Sequence, residues 1–305
     1  MPHPWPARPE VGVLFSPQTY YHNWAIEGNA DRARKALEGY ARALVRSSIP
    51  YALVEECHLE ALEGMKILFL PRTLVVDDET AEAFERFVRA GGTLVTESEC
   101  GAFGSDGLYR YPADRFTARL AGIREVGRRT LERDTIRARV RGRTRSLGVT
   151  QWLTPWTKGS GKVLARGKDG GLVVDVPVGK GRVVLCGGYL GEAYRQQPTA
   201  GFEAFIRDLV HGAGWEPQVE VLSPRPARNA FVYTKHGEAD GRKVVFVFFP
   251  AGCSRARLRF ARDFFRGRRL RDLISGKSLA LTAAAQGSQC TLPAPAWRFS
   301  VLVEA

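Results

Sequence analysis

The sequence predicts an α/β domain built on a mostly parallel sheet, followed by a small antiparallel β-sandwich. Three observations carry this expectation. Short apolar runs alternate with amphipathic stretches as far as His211, only strand-like runs follow Trp215, and Gly212-Ala213-Gly214 with Glu216-Pro217 punctuates the change. A chain of 305 residues is long enough for two such cores. The expected division is residues 1–9 as a linker-like lead-in, 10–215 as the α/β domain and 216–305 as the sandwich.

Val11-Gly12-Val13-Leu14-Phe15, stopped by Ser16-Pro17, reads as a buried strand. The polar and aromatic segment Thr19 to Trp24 then reads as a loop. Asn29 or Asp31 can cap a helix in which Ala33, Leu37, Tyr40, Ala41 and Leu44 recur at helical spacing. Ile49 to Val54 and Lys66 to Leu70 give a second and third strand, the latter stopped by Pro71. Asp77-Asp78-Glu79 suits the positive end of a helix dipole; Ala83, Phe84, Phe87 and Val88 form that helix's apolar face, and Gly91-Gly92 ends it. Thr93 to Thr96 is the fourth strand. Short apolar strands joined through helices pair in parallel, with helices on both faces of the sheet.

The middle of the chain predicts β-rich insertions at 137–145 and 162–176, a strand at Arg182 to Cys186, and a closing helix on Phe202, Phe205, Ile206 and Leu209. The sandwich strands are expected at 231–234, 244–249, 258–260, 270–274, 290–292 and 299–303. Turns at Ala239-Asp240-Gly241 and Ser275-Gly276-Lys277 separate some of them.

The formal net charge is +13, so nucleic-acid binding has to be weighed. The arginines concentrate between Arg119 and Arg145 and between Arg255 and Arg271. There, Arg137-Ala138-Arg139-Val140 and Arg255-Ala256-Arg257-Leu258 alternate with small or apolar residues, the period of a half-buried strand with a solvated face. The expectation is therefore no nucleic-acid partner. No apolar run is long enough to span a bilayer, so no membrane partner is expected either. The five cysteines are scattered and never form a CxxC pair, which points to a reduced, cytoplasmic protein rather than a disulfide scaffold. Cys57 and His58 lack a further ligand at useful spacing, and neither Gly101-Ala102-Phe103-Gly104 nor Gly187-Gly188-Tyr189-Leu190-Gly191 matches a phosphate loop. No metal and no cofactor are expected.

Val11 to Ser16 followed by Asn23-Trp24-Ala25, then Lys66 to Pro71, then Phe84 to Val95, then Gly179 to Val183 resemble, in that order, the trimerisation domain of bacterial β-galactosidases of glycoside hydrolase family 42. Asp272-Leu273-Ile274-Ser275-Gly276 and the closing Trp297 to Leu302 resemble the small β-domain that ends those enzymes. The resemblance implies a flavodoxin-like sheet related to class I glutamine amidotransferases. It also implies self-association, with a trimer favoured, or association with a separate catalytic barrel. Family enzymes carry two catalytic glutamates on an N-terminal barrel, and hydrolysis of a glycosidic bond needs such a flanking pair. No barrel precedes Val11, so the leading expectation is a non-catalytic accessory or oligomerisation module. A piece of a complete β-galactosidase is an alternative.

Two residue groups are candidates for function. Tyr20, Tyr21, His22, Asn23, Trp24 and Glu27 follow the first strand, at the sheet edge where α/β folds place ligands, and are read as an interface or as a carbohydrate-binding surface. Glu97, Glu99 and Cys100 follow the fourth strand, where amidotransferase-like folds carry a cysteine nucleophile. Against that second alternative, a cysteine-dependent hydrolase, Ser98 stands where the signature glycine belongs, and no histidine occurs in a His-x-Glu arrangement.

Overall fold

The computed structural model describes residues 9–224 and 231–305, so all of the expected lead-in except Pro9 lies outside the described residues. The chain forms two compact units. One comprises Glu10–Leu44 and Tyr51–Trp215; Glu216–Ala305 belongs to the other, together with Val45–Pro50.

In the first unit, β1 (Val11–Phe15) leads into a helix, α1 (Pro17–Glu27), rather than the expected loop. The physical reason lies in its ends. Ser16 accepts the Thr19 amide proton at 3.1 Å as N-cap, Pro17 supplies a preset φ in the first turn, and Gly28 closes the helix in the left-handed region at φ 70°. Between those caps the helix buries only Thr19 and Asn23, so it has no apolar stripe to betray it. The second helix, α2 (Asp31–Arg46), begins where the Asn29 side chain accepts the Asp31 amide proton, and buries Ala33, Tyr40 and Leu44.

β2 (Ala52–Glu55) and β3 (Ile67–Leu70) follow. Asp77 then caps α3 (Asp78–Ala90) by accepting the Thr80 amide proton at 2.7 Å, and β4 (Thr93–Thr96) comes next. Beyond β4 the chain makes a short helix, α4 (Phe116–Ala121), and a hairpin of β5 (Arg129–Val140) and β6 (Arg143–Leu153). It then adds β7 (Lys162–Arg166), β8 (Gly171–Val178) and β9 (Gly181–Cys186). The helices α5 (Leu190–Gln196) and α6 (Ala200–Gly212) complete the unit.

The main sheet has the order β2-β1-β3-β4-β9-β8-β7. Pairing is parallel from β2 to β9 and antiparallel for β8 and β7. Every residue of β3 and β4 is buried, as strands covered on both faces require. One core layer gathers Leu14, Leu68, Phe84, Val88, Leu94 and Trp156. On α2 and α5, a Cβ at Gly39 would stand 2.0 Å from the Gly191 carbonyl oxygen, so the two backbones meet through glycines.

The β5–β6 hairpin is a two-stranded sheet of its own. Ile136, Ala138, Val140, Leu147 and Val149 are buried, whereas Arg137, Arg139 and Arg143 are exposed. That is the one-sided alternation the arginine spacing predicts. Its turn uses Arg141 at φ 48° and Gly142 at φ 77°, the left-handed pair that fits a two-residue hairpin.

The second unit contains a sheet ordered β10-β13-β17-β16 and a sheet ordered β11-β12-β18-β14-β15. Its strands are β10 (Val219–Ser223), β11 (Tyr233–Ala239), β12 (Arg242–Phe248), β13 (Arg255–Phe260), β14 (Arg269–Asp272), β15 (Ser278–Ala280), β16 (Thr282–Ala284), β17 (Gly287–Pro293) and β18 (Phe299–Glu304). Every pairing in these two sheets is antiparallel. Val245, Val247, Leu258, Phe260, Leu270, Leu292 and Leu302 share the core, while Arg255 and Arg257 of β13 stay exposed.

Candidate functional site

The carboxyl ends of β1, β3 and β4 deliver three chain segments to one edge of the sheet: α1, Pro71-Arg72-Thr73 and Glu97 to Gly101. This is where open α/β sheets place ligands. Arg72 organises the edge. Its backbone lies in the left-handed region (φ 41°), and its side chain is almost wholly buried. The guanidinium donates to Asn23 Oδ1 at 3.2 Å, Gln151 Oε1 at 2.9 Å and Glu27 Oε1 at 3.4 Å, and it lies 4.4 Å over the Tyr189 ring. A buried cation is tolerated only with such acceptors around it. Arg32 donates to the same Gln151 oxygen at 2.7 Å, and the Gln151 amide donates to Glu192.

Glu97 sits beneath this network with no solvent exposure. Its carboxylate accepts the amide protons of Leu190 and Gly191 at 2.7 Å each and of Arg72 at 2.9 Å, and the Tyr40 hydroxyl at 3.2 Å. Burial pushes its pKa up to about 7, although those donors pull the other way. Glu97 is thus the anchor that fastens the start of α5 to the end of β4.

Glu99, not Cys100, takes the strained position after β4, with φ 58°. Its amide donates to Glu125 Oε1 at 2.7 Å, and its carboxylate accepts from Arg128 at 3.2 Å. Glu125 also accepts from Arg115 at 2.6 Å, both partners being buried. Burial raises the Glu125 pKa, against the pull of Arg115. Together with Tyr109, Pro112 and Thr154 these residues line a cavity of about 380 Å³. Cys100 is buried, and burial together with Glu125 holds its thiol far above the usual range. Among the described residues no hydrogen bond joins it to a histidine.

The residues of α1 divide by face. Asn23 is buried, donating to the Thr19 carbonyl and accepting from Arg72. Tyr20 packs edge-on against Phe15 at 5.0 Å, and burial pushes its hydroxyl up to about 12. The His22 ring packs against Phe103 at 4.1 Å with the planes tilted by 40°, and its pKa is lowered by burial and then by Arg72. Tyr21 and Trp24, three residues apart on the helix, stand 74% and 65% exposed. The structure therefore brings Asn23, Glu27 and Glu97 together around Arg72 and leaves Tyr21 and Trp24 facing outward. Arg72, Arg115, Glu125, Arg128, Gln151 and Tyr189 carry no motif, and the sequence reading missed them. Only the strand–Pro–Arg junction at Leu70-Pro71-Arg72 marked a place where a side chain must leave the sheet edge.

At the carboxyl end of β2, one polar side-chain atom from each of Glu55, Cys57 and His58 lies within 4.8 Å of the others. The described residues include no helix long and apolar enough to cross a membrane.

No curated protein matches the chain. Among solved structures, a catalytic mutant of Gan42B, a glycoside hydrolase family 42 β-galactosidase from G. stearothermophilus, superposes with a TM-score of 0.73 at 19% identity, over 98% of this chain and 40% of that one. The β-galactosidase of Bacillus circulans sp. alkalophilus gives 0.73 at 20%, over 98% and 42%. α-L-Fucosidase isoenzyme 2 of Paenibacillus thiaminolyticus gives 0.65 at 15%, over 97% and 48%. At these identities the likeness is one of fold, and the chain spans less than half the length of each. The sequence profile of the β-galactosidase trimerisation domain matches residues 10–214, and the chain belongs to that family.

Proposed function

We propose that this chain is a non-catalytic assembly module of a glycoside hydrolase system. In this reading, copies associate through the α/β unit, with a trimer as the favoured state, and a catalytic barrel is the alternative partner. The unit is flavodoxin-like and amidotransferase-related, without a working cysteine site. The observation that carries the reading is the outward face of α1, where Tyr21 and Trp24 expose large aromatic surface beside a rigid buried network. Exposed aromatics on a fixed element mark contact surfaces, because they bury much area at little entropic cost. The family match supplies the class of partner. All five cysteines are free, which fits a reducing compartment such as the cytoplasm.

Light scattering coupled to size exclusion tests this reading. The wild-type chain is expected to elute as a trimer and the Tyr21→Arg/Trp24→Arg variant as a folded monomer. A wild-type chain that stays monomeric at high concentration, alone and with a family 42 barrel, would refute the assembly role.

A further inference from the structure

We propose that Glu55, Cys57 and His58 form a binding site for a divalent transition-metal ion of the zinc class. β2 ends at Glu55, and the chain turns tightly there, with the His58 amide donating to the Glu55 carbonyl at 2.9 Å. The turn gathers three different ligand atoms on one side. Cys57 Sγ lies 3.1 Å from His58 Nδ1, Glu55 Oε2 lies 3.8 Å from the same nitrogen, and one ligand atom from each residue falls within 4.8 Å of the others.

Those separations are close to what a tetrahedral ion requires. With bonds of about 2.0–2.3 Å, neighbouring ligand atoms stand roughly 3.3–3.8 Å apart. The side chains need shift by no more than about 1 Å to meet that geometry, and they are free to do so. His58 and Glu55 are 64% and 44% exposed in their side chains, and Cys57 is exposed.

The donor set selects the metal. One sulfur, one imidazole nitrogen and one carboxylate oxygen suit borderline ions such as zinc or cobalt, whereas calcium and magnesium require oxygen throughout. Three protein ligands leave a fourth position for water or an incoming group.

The surroundings add a second, independent argument. Glu55 and Cys57 lie on the wall of a groove of about 1300 Å³ that is also lined by Glu56, Glu60, Glu63 and Glu79. Its two basic residues, Lys66 and Arg86, pair with Glu10 and Glu82. In a chain of net charge +13, this groove is a local concentration of negative charge that draws cations. The site is independent of the assembly reading, since it uses none of the α1 aromatics.

Cobalt is the probe. The full chain, reduced with a phosphine and stripped with a chelator, is titrated with Co²⁺ and then with Zn²⁺. Expected is a thiolate-to-cobalt charge-transfer band that saturates at one ion per chain and is bleached by zinc. Cys57→Ser removes the band, His58→Ala and Glu55→Gln each weaken binding at least about tenfold, and Cys253→Ser leaves it unchanged. The proposal fails if no band develops up to millimolar cobalt, or if the band survives Cys57→Ser or disappears with Cys253→Ser. It also fails if both His58→Ala and Glu55→Gln bind as the wild type does, since cysteine would then bind alone. All these side chains are exposed or partly exposed, so thermal melts of the variants are expected to match the parent.

Discussion

The carboxylate of Glu97 accepts the amide proton of Leu190 at 2.7 Å, so a residue at the end of β4 holds the first turn of a helix 93 positions further along the chain. Glu97 has an ordinary carboxyl pKa of 4.5 when exposed and about 7 in the folded protein. Between those values the folded chain keeps a proton that the unfolded chain has released. The resulting stability is full below pH 4.5 and is lost as pH rises through 7. Glu97→Gln, whose amide mimics the protonated acid, lacks this loss. The wild-type advantage over that variant is expected to shrink by up to about 3 kcal/mol across the window. Urea unfolding at a series of pH values measures it, and a flat difference would show that Glu97 does not titrate there.

The buried pair of Arg115 and Glu125 gives a second expectation. Removing one partner leaves the other charge uncompensated, so Arg115→Met is expected to cost about 3–5 kcal/mol. The double variant Arg115→Met/Glu125→Gln should cost less than the two single changes combined. Strict additivity in a double-mutant cycle would mean that the contact contributes nothing.

Packing at the α2–α5 crossing is tested by Gly39→Ala. The added methyl meets the Gly191 carbonyl at 2.0 Å, and the helices must separate. A loss of about 1–3 kcal/mol is expected. Gly148→Ala is the control, because there the nearest atom, Ala193 Cβ, is 3.6 Å away. Equal melting temperatures for the two variants would contradict the close approach.

Thiol labelling separates packing cysteines from accessible ones. Cys100, Cys186 and Cys290 are buried, whereas Cys57 is exposed and Cys253 half-buried. Burial raises all three buried thiols, Cys290 to about 12. Only Cys57 and Cys253 should react with a disulfide reagent in the native protein, the rest reacting on unfolding. Fast modification of Cys100 would revive it as a nucleophile.

The apolar strands and α2, α3 and α6 were legible because their side chains repeat with the period of the backbone. Helix α1 was not, since Ser16, Pro17 and Gly28 define it by its ends while its middle has no apolar stripe. Helix α5 was hidden for a related reason: its buried residues include Gly191 and Glu192, and Glu97 fixes its start from a distant strand. At the candidate site, the sequence reading named Glu97 and Glu99 after β4, and the fold places both at the carboxyl edge of the sheet. The sequence could not show Arg72 meeting Gln151 or Arg115 meeting Glu125, because those pairs form only when separate segments converge. Cys100 drew attention for its chemistry, yet the left-handed backbone belongs to its neighbour Glu99.

The adjacency of β4 and β9 also constrains how this molecule acquires its shape. These strands pair in register from Thr93 with Arg182, while residues 97–161 leave the sheet after β4 and the chain rejoins it through β7 and β8 on the other side of β9. Closing so long an excursion costs chain entropy before any pairing repays it. The four-stranded segment β2-β1-β3-β4 can assemble from nearer neighbours, so β9 docks late. Until it does, β4 has an open edge, and the growing polypeptide is exposed to mispairing in that interval.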